Sequence, residues 1–599
     1  MSNTRKTDAL RALMAERAID IYIIPTADFH ESEYVGDHFK ARKFMTGFTG
    51  SAGIAVVTKD RAGLWTDGRY FIQAERELEG SGFSLFRMGE KNVPTVNAFV
   101  EEMLPEGGTV GFDGRVVNAS WGRKLREIAE KKHGKLSCTE DLVGRIWEDR
   151  PALSLSRAWI LGEAYAGAPA SEKLRRVREA VREKGADLYL LTSLDDIAWL
   201  LNLRGDDAAH FPILLSYFLM TADACTLYVQ DGALTEEVRA YLAENGVDTK
   251  PYSAVYEDAD ALGAESGHTV LLDLSRVNYR LYEALSAGCE VVNAPNPTQR
   301  MKCVKNAVEA ENIRKAHVQD GIAMVKWLYW LDGVIGKEPH TEVTVSDRLE
   351  AFRRARPHFL DLSFGTISAY GANAAMMHYS ASPASCAVLK PEGLLLVDSG
   401  GHYLEGTTDI TRTIALGPIT EEERRFFTIV LQCNLNLAGA HFPEGVNGQN
   451  LDVLARGPLW NLGLDYRCGT GHGVGYVLNV HEGPNGFRWK IVPERQDSAP
   501  FEPGMVTTDE PGIYEEGRFG IRIENELLCV PDRETEYGRY LKFETVTYCP
   551  IDLDAVDVSM LTAREKALLN EYHRTVYETL APHLTEEEAA WLAHETREV

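Results

Sequence analysis

Asp398, Asp409, His472, Glu510 and Glu524 are side chains whose types could do chemistry together, each inside a distinctive phrase: VDSG, TTDITRT, GTGHGVG, TDEPG and RIENE. Four carboxylates and one imidazole suit two divalent cations, because four negative charges balance two metals at +2. Such a site can still accept a bound hydroxide, the nucleophile a hydrolase needs. The chain must supply elements that bring the five together. Leu394 to Asp398 predicts a strand, Gly400 and Gly401 begin a turn region, and residues 407–415 read as the antiparallel partner. Cross-strand β-carbons come within about 5 Å, so Asp398 and Asp409 can share one face. Taken alone, turn-flanking aspartates are usually solvated or capping.

His472 stands between glycines, where backbone can approach an ion or substrate closely, although a lone histidine there is more often structural. No GK[ST] follows, so the glycines make no phosphate loop. His481-Glu482-Gly483-Pro484 is no zincin helix either, since the proline opposes a helix and a second histidine is missing. In GIRIENELL the alternation puts Arg522, Glu524 and Glu526 on one face and Ile521, Ile523 and Asn525 on the other. A charged face toward a core is costly unless paired or bound to metal. The ordinary reading is a strand with one face in solvent.

At 599 residues the chain exceeds one ordinary core. A net charge of −26 argues against a protein that tracks nucleic-acid phosphates. The longest apolar stretch, around Phe211 to Met220, is about half what a bilayer span needs, so no membrane partner is expected. Arg5 and Lys6 are followed by Asp8 and Glu16, without a signal-type apolar run before a first strand at Ile21 to Ile24. Nine cysteines contain no CxxC pair, which fits a reducing cytoplasm rather than a disulfide framework.

Two segments of the first half follow one plan: an amphipathic helix, then an apolar strand (DIYII at Asp20, DLYLL at Asp187), a turn and further strands. Residues 146–170, with Pro151, Gly162, Gly167 and Pro169, suit a linker, and a second boundary falls near Pro295, Pro297 and Arg300. Three domains follow: 1–155, a related α/β domain at 156–305, and 306–599 with a C-terminal extension. In the last, Ala307 to Asp332 spaces Ile313, Ile322, Val325, Leu328 and Leu331 for one buried face, and Thr420 with Glu423 signs a helix start.

Jointly, DSG…TTDITRT, GHGVG…VHEGP, TDEPGIY and GIRIENE resemble the pita-bread metallopeptidases. GFTGSAG at Gly47, WTDGRYF at Trp65 and DIAWLLNLRG at Asp196 extend the resemblance to the long, three-domain aminopeptidase P family across essentially the whole chain. The resemblance implies two creatinase-N-like α/β units followed by an α+β pita-bread catalytic domain. It implies two Mn2+ per subunit, with Zn2+ or Co2+ as alternatives. Asp398 would hold one metal, His472 and Glu510 the other, while Asp409 and Glu524 bridge. Glu510 would shuttle the proton, His378 would contact the substrate backbone, and His481 the carbonyl or its tetrahedral intermediate. Tyr514 and Arg522 match positions near the proline pocket. The implied reaction is hydrolysis of the N-terminal Xaa-Pro bond of short peptides, by a homodimer, through a hydroxide bridging the metals. One position departs: mammalian-type members have a histidine four residues before the metal histidine, where Cys468 stands here. A thiol lacks imidazole's second hydrogen-bonding site. The rivals are a prolidase, which usually has one N-terminal domain, a methionine aminopeptidase, which has neither, and a binding protein on the same scaffold that has lost metal ligands.

Overall fold

The computed structural model describes residues 3–265, 267–492 and 497–599. Two compact units form, one from the chain up to Ile160 with Ala168–Thr298, the other from Leu161–Gly167 with Gln299–Val599. The first unit contains two six-stranded sheets. One comprises β1 (Ile21–Pro25), β2 (Ile54–Thr58), β3 (Ala62–Thr66), β4 (Ser84–Arg87), β5 (Thr109–Gly111) and β6 (Lys135–Ser137), in the order β4-β3-β2-β1-β5-β6. The other comprises β7 (Leu188–Leu191), β8 (Ser216–Met220), β9 (Cys225–Val229), β10 (Val247–Pro251), β11 (Thr269–Leu272) and β12 (Glu290–Asn293), in the order β10-β9-β8-β7-β11-β12.

Order and strand sense agree at every pairing. The central strand runs antiparallel to the next in sequence and parallel to the fifth (β1 with β2 and β5, β7 with β8 and β11). Both central strands are buried on both faces, as unbroken apolar runs under helices should be. Each is preceded by an amphipathic helix, α1 (Asn3–Glu16) and α2 (Ala170–Glu183). The likeness reaches single bonds. Asp20 accepts from Thr109 N–H at 2.8 Å and Asp187 from Thr269 N–H at 2.7 Å. Asn118 and Asn278 cap the helices after β5 and β11 and bridge to each other. Beside them Ala119 N–H donates to Val277 O, and Tyr279 N–H to Val117 O, both at 2.8 Å.

The second unit contains the long helix α3 (Ala307–Val334), which starts at an Asn306–Glu309 capping box and buries Ile313, Ile322, Val325, Leu328 and Leu331 as their spacing predicts. After α4 (Glu342–Arg354) come β13 (Phe359–Leu362), β14 (Ile367–Tyr370), β15 (Leu394–Ser399), β16 (Gly401–Tyr403), β17 (Gly406–Thr407) and β18 (Ile410–Ala415). Strands β14-β15-β18 form one small sheet and β13-β16-β17 another. The partner of β15 therefore starts at Ile410 rather than 407, since residues 406–407 pair with β16, and Asp398 faces Thr411. Thr420 caps α5 (Glu421–Ala438), with Glu423 closing the box, and α6 (Gly448–Trp460) follows.

A six-stranded antiparallel sheet completes the unit. It contains β19 (His441–Pro443), β20 (Gly471–Gly473), β21 (Glu482–Phe487), β22 (Val506–Asp509), β25 (Asn525–Thr535) and β26 (Gly538–Thr545), with β23 (Gly512–Glu515) and β24 (Phe519–Arg522) as a separate ladder. GIRIENELL is thus two strands that part at Ile523–Glu524, and residues 521–526 are all buried. The solvent-facing alternative fails because Arg522, Glu524 and Glu526 all turn toward polar partners on β18 and its neighbours. The chain ends on α7 (Ala563–Leu580) and α8 (Glu586–Glu595), packed against α3.

Candidate metal centre and active site

Asp398 leaves β15 one residue before its end, Asp409 precedes β18, His472 is the middle of β20, Glu510 follows β22, and Glu524 lies between β24 and β25. Strands from three sheets thus meet. Asp409, His472 and Glu524 each offer a ligand atom, and these atoms lie within 4.8 Å of one another. His472 Nε2 is 3.4 Å from Asp409 Oδ2 and 3.5 Å from Glu510 Oε1. Asp398 joins them electrostatically, its charge acting on both Asp409 and Glu524.

Further neighbours hold these side chains. Thr411 Oγ1–H donates to Glu524 Oε2 at 2.6 Å. The Asp409 backbone N–H donates to Glu526 Oε1 at 2.6 Å, and His317 Nε2 lies 3.3 Å from the same oxygen. Arg456, buried on α6, holds Asp452, Asp465 and the carbonyls of Tyr466 and Cys468, which fixes the loop leading into His472. Their signal was faint: threonines alternating around Asp409 read as ordinary strand composition, and Arg456 sits far from the motif it supports.

Arg522, expected near the proline pocket, donates from Nη2 to Asp398 Oδ2 at 2.6 Å, from Nε to Thr411 Oγ1 at 3.1 Å and from Nη1 to the Tyr514 hydroxyl at 2.7 Å. Its guanidinium is buried, and its partners are Asp398, Thr411 and Tyr514. The Tyr514 ring is half-buried beside it. His481 packs edge-on against His472, ring centroids 4.2 Å apart. His378 lies on the exposed turn after the short helix Gly371–Ala375, which packs on β24. Burial and then the Glu510 charge push the Cys468 thiol up to about 11, so it stays protonated and unreactive near neutral pH.

The charges fit cations. Burial first, then the neighbouring carboxylates, hold Asp409 and Glu524 well above the usual carboxylate range. Burial opposes charge on His472, yet Asp409 and Glu510 lift it to about 9. The cluster thus attracts positive charge strongly. Asp398 Oδ1 is buried with no hydrogen-bond partner among the described residues, an acceptor a metal would satisfy. His472 Nδ1 lies 2.9 Å from the Gly473 carbonyl, which fixes the ring and directs Nε2 into the cluster.

A carboxylate and imidazole cluster in a pita-bread domain, after two matching α/β domains, defines a metallopeptidase. The model for metallopeptidase family M24 matches residues 311–531, and that for the C-terminal region of these peptidases matches 539–599. Two models of the creatinase/prolidase N-terminal domain match 6–145 and 149–309. Aminopeptidase P1 of Arabidopsis thaliana is 39% identical over 99% of this chain and 98% of its own length. A probable Xaa-Pro aminopeptidase P of Botryotinia fuckeliana is 42% identical over 96% of this chain and 90% of its own. The X-prolyl aminopeptidase of Caenorhabditis elegans, described as a cytosolic enzyme with a di-nuclear active site, superposes with a TM-score of 0.93 at 33% identity, covering both chains fully. The chain belongs to the aminopeptidase P branch of metallopeptidase family M24.

Proposed function

We propose that this chain is an Xaa-Pro aminopeptidase, releasing the first residue of short peptides whose second residue is proline. What supports the reading is the cluster of Asp409, His472 and Glu524, with Glu510 beside His472 and the Asp398 charge acting on Asp409 and Glu524. In this reading the five would hold two Mn2+ ions, since oxygen-rich ligation with one imidazole favours manganese over zinc. When bound, the metals polarise the scissile carbonyl and lower the pKa of water enough to give a nucleophile at neutral pH.

The chain's own groups do the rest. The Glu510 side chain is 22% exposed against 6% for Asp409, so it faces the open side and can carry a proton from the attacking water to the proline nitrogen. His481, whose ring meets that of His472 edge-on, is the donor this reading assigns to the carbonyl oxygen as negative charge develops there. His378 binds the substrate backbone. The proline nitrogen has no N–H to offer, so the ring is recognised by shape, with the Tyr514 ring as one wall. The same reading assigns residues 1–155 and 156–305 to the two access-limiting domains, 306–599 to catalysis, and the protein to the cytoplasm as a homodimer.

A prolidase has the same ligand types and separates by substrate. Protein purified without added ions, analysed for metal and then assayed on Arg-Pro-Pro and Arg-Pro, should release arginine from the tripeptide. An Asp409→Ala variant should lose that activity. Cleavage of the dipeptide alone would overturn the reading, as would full activity in Asp409→Ala.

A further inference from the structure

Glu342 is the first residue of α4 and is fully buried. Its carboxylate accepts four hydrogen bonds from four different places. Oε1 takes the Tyr370 N–H at 2.7 Å and Asn373 Nδ2–H at 2.9 Å. Oε2 takes the Tyr379 hydroxyl at 2.8 Å and the Ala387 N–H at 2.7 Å. An ionised carboxylate is an acceptor with about four lone-pair sites, and here every one meets a neutral donor. No cation pairs with it among the described residues. The charge is instead met by those donors and by the N-terminal end of a 13-residue helix, where negative charge is favoured.

The four donors bracket one segment, residues 370–387, and His378 lies inside it next to Tyr379. Its entry is the end of β14, which pairs with the Asp398 strand, Ile367 opposite Asp398. Its exit returns to α4, where Glu342 N–H donates to Ala387 O at 3.1 Å. On its other side the segment lies against β24: a Cβ at Gly520 would collide with the Ala374 carbonyl. Gly520 is two residues from Arg522, which holds Asp398. The segment is therefore pinned between the metal-centre strands and one buried carboxylate.

We propose that Glu342 is a positioning residue of the peptidase site: its carboxylate sets the 370–387 segment and so holds His378 against the substrate. This rests on the aminopeptidase reading above. An amide replaces the carboxylate poorly, because its NH2 would face the backbone N–H of Tyr370 or of Ala387, a donor that cannot turn to accept.

The test is a double-mutant cycle on the full chain, assayed on Arg-Pro-Pro with saturating Mn2+. Glu342→Gln should lower kcat/KM on the order of tenfold to a hundredfold, since small misplacements of a binding group cost that much. It should also speed hydrogen exchange in residues 371–387 and leave metal content unchanged. In a His378→Ala background the same substitution should cost less than about twofold, because its effect passes through His378. Tyr379→Phe removes only one of the four bonds and serves if Glu342→Gln does not fold; it should lose about threefold to tenfold with the same non-additivity. Additive losses, or unchanged kcat/KM with unchanged exchange, would overturn the proposal. A wild-type protein inactive on Arg-Pro-Pro overturns the functional reading and the positioning role with it, while faster exchange in the variant would still establish the clamp itself.

Discussion

Thr411 shows how one hydroxyl ties two parts of the site. It donates to Glu524 and accepts from Arg522 Nε, so the Asp398–Arg522 pair and the Glu524 carboxylate share one side chain. Thr411→Val keeps the shape and leaves a buried carboxylate oxygen and a guanidinium N–H without that partner. We expect Mn2+ affinity to fall about tenfold to a hundredfold, as for other residues that support metal ligands, with kcat recovered at saturating Mn2+. Calorimetric titration of the metal-free protein measures it, and an unchanged affinity would remove Thr411 from the site. The five clustered side chains stand in distinctive phrases, while the support from Thr411 and Glu342 was not legible. A threonine in a strand and a glutamate at a helix start look ordinary; their burial and partners exist only once distant segments meet.

At the scale of elements, the C-terminal extension buttresses the site. Arg412, on β18 beside the ligands, donates to the carbonyls of Pro550 and Cys549 and to the Tyr572 hydroxyl of α7. The next residue, His573, is buried and its Nε2 accepts the Ile551 N–H at 3.0 Å. Burial, then the Arg412 charge, pushes His573 down to about 3. Because the folded pKa lies below the unfolded value of 6.5, the contribution is complete above pH 6.5 and is lost as pH falls toward 3. Between pH 6.5 and 5 this group alone should cost the fold about 2 kcal/mol. His573→Gln keeps an acceptor for Ile551 and does not titrate, so its thermal unfolding midpoint should fall less than that of wild type over that range. Parallel curves would show that His573 is not the sensor. Helix spans and caps in this unit were legible from periodicity and from Thr420 with Glu423, but the split of GIRIENELL into two strands was not, since alternation carries no mark of where a strand changes partners.

At the scale of the molecule, an apolar surface remains on α6 and its surroundings: Trp460, Leu462, Trp489 and Ile491 are 38%, 44%, 40% and 58% exposed. The two tryptophans meet edge to face at 5.8 Å. A patch of this kind fits the proposed homodimer, for which a second copy is the occupant. Trp460→Asp should convert a species of about twice 66.6 kDa into a monomer by light scattering, and a wild-type monomer would exclude that role for the patch. The tandem plan of the first half was legible from the order of its elements. The echo of Asp113–Asn118 (DGRVVN) in Asp273–Asn278 (DLSRVN) is only six residues long, too short to mark the copies by identity. That echo lies where the copies touch. The reciprocal bonds of Val117 with Tyr279 and Val277 with Ala119 have the self-complementary form of a two-fold dimer interface. Both partners, however, belong to one chain, so dilution cannot part them. The tether also permits what identical subunits cannot have. Tyr279 packs onto Gly122, where a Cβ would collide with its ring, whereas the corresponding residues of the other copy are Ala119 and Tyr282. One half supplies the bulk and the other the space, a division of labour open only to copies free to diverge.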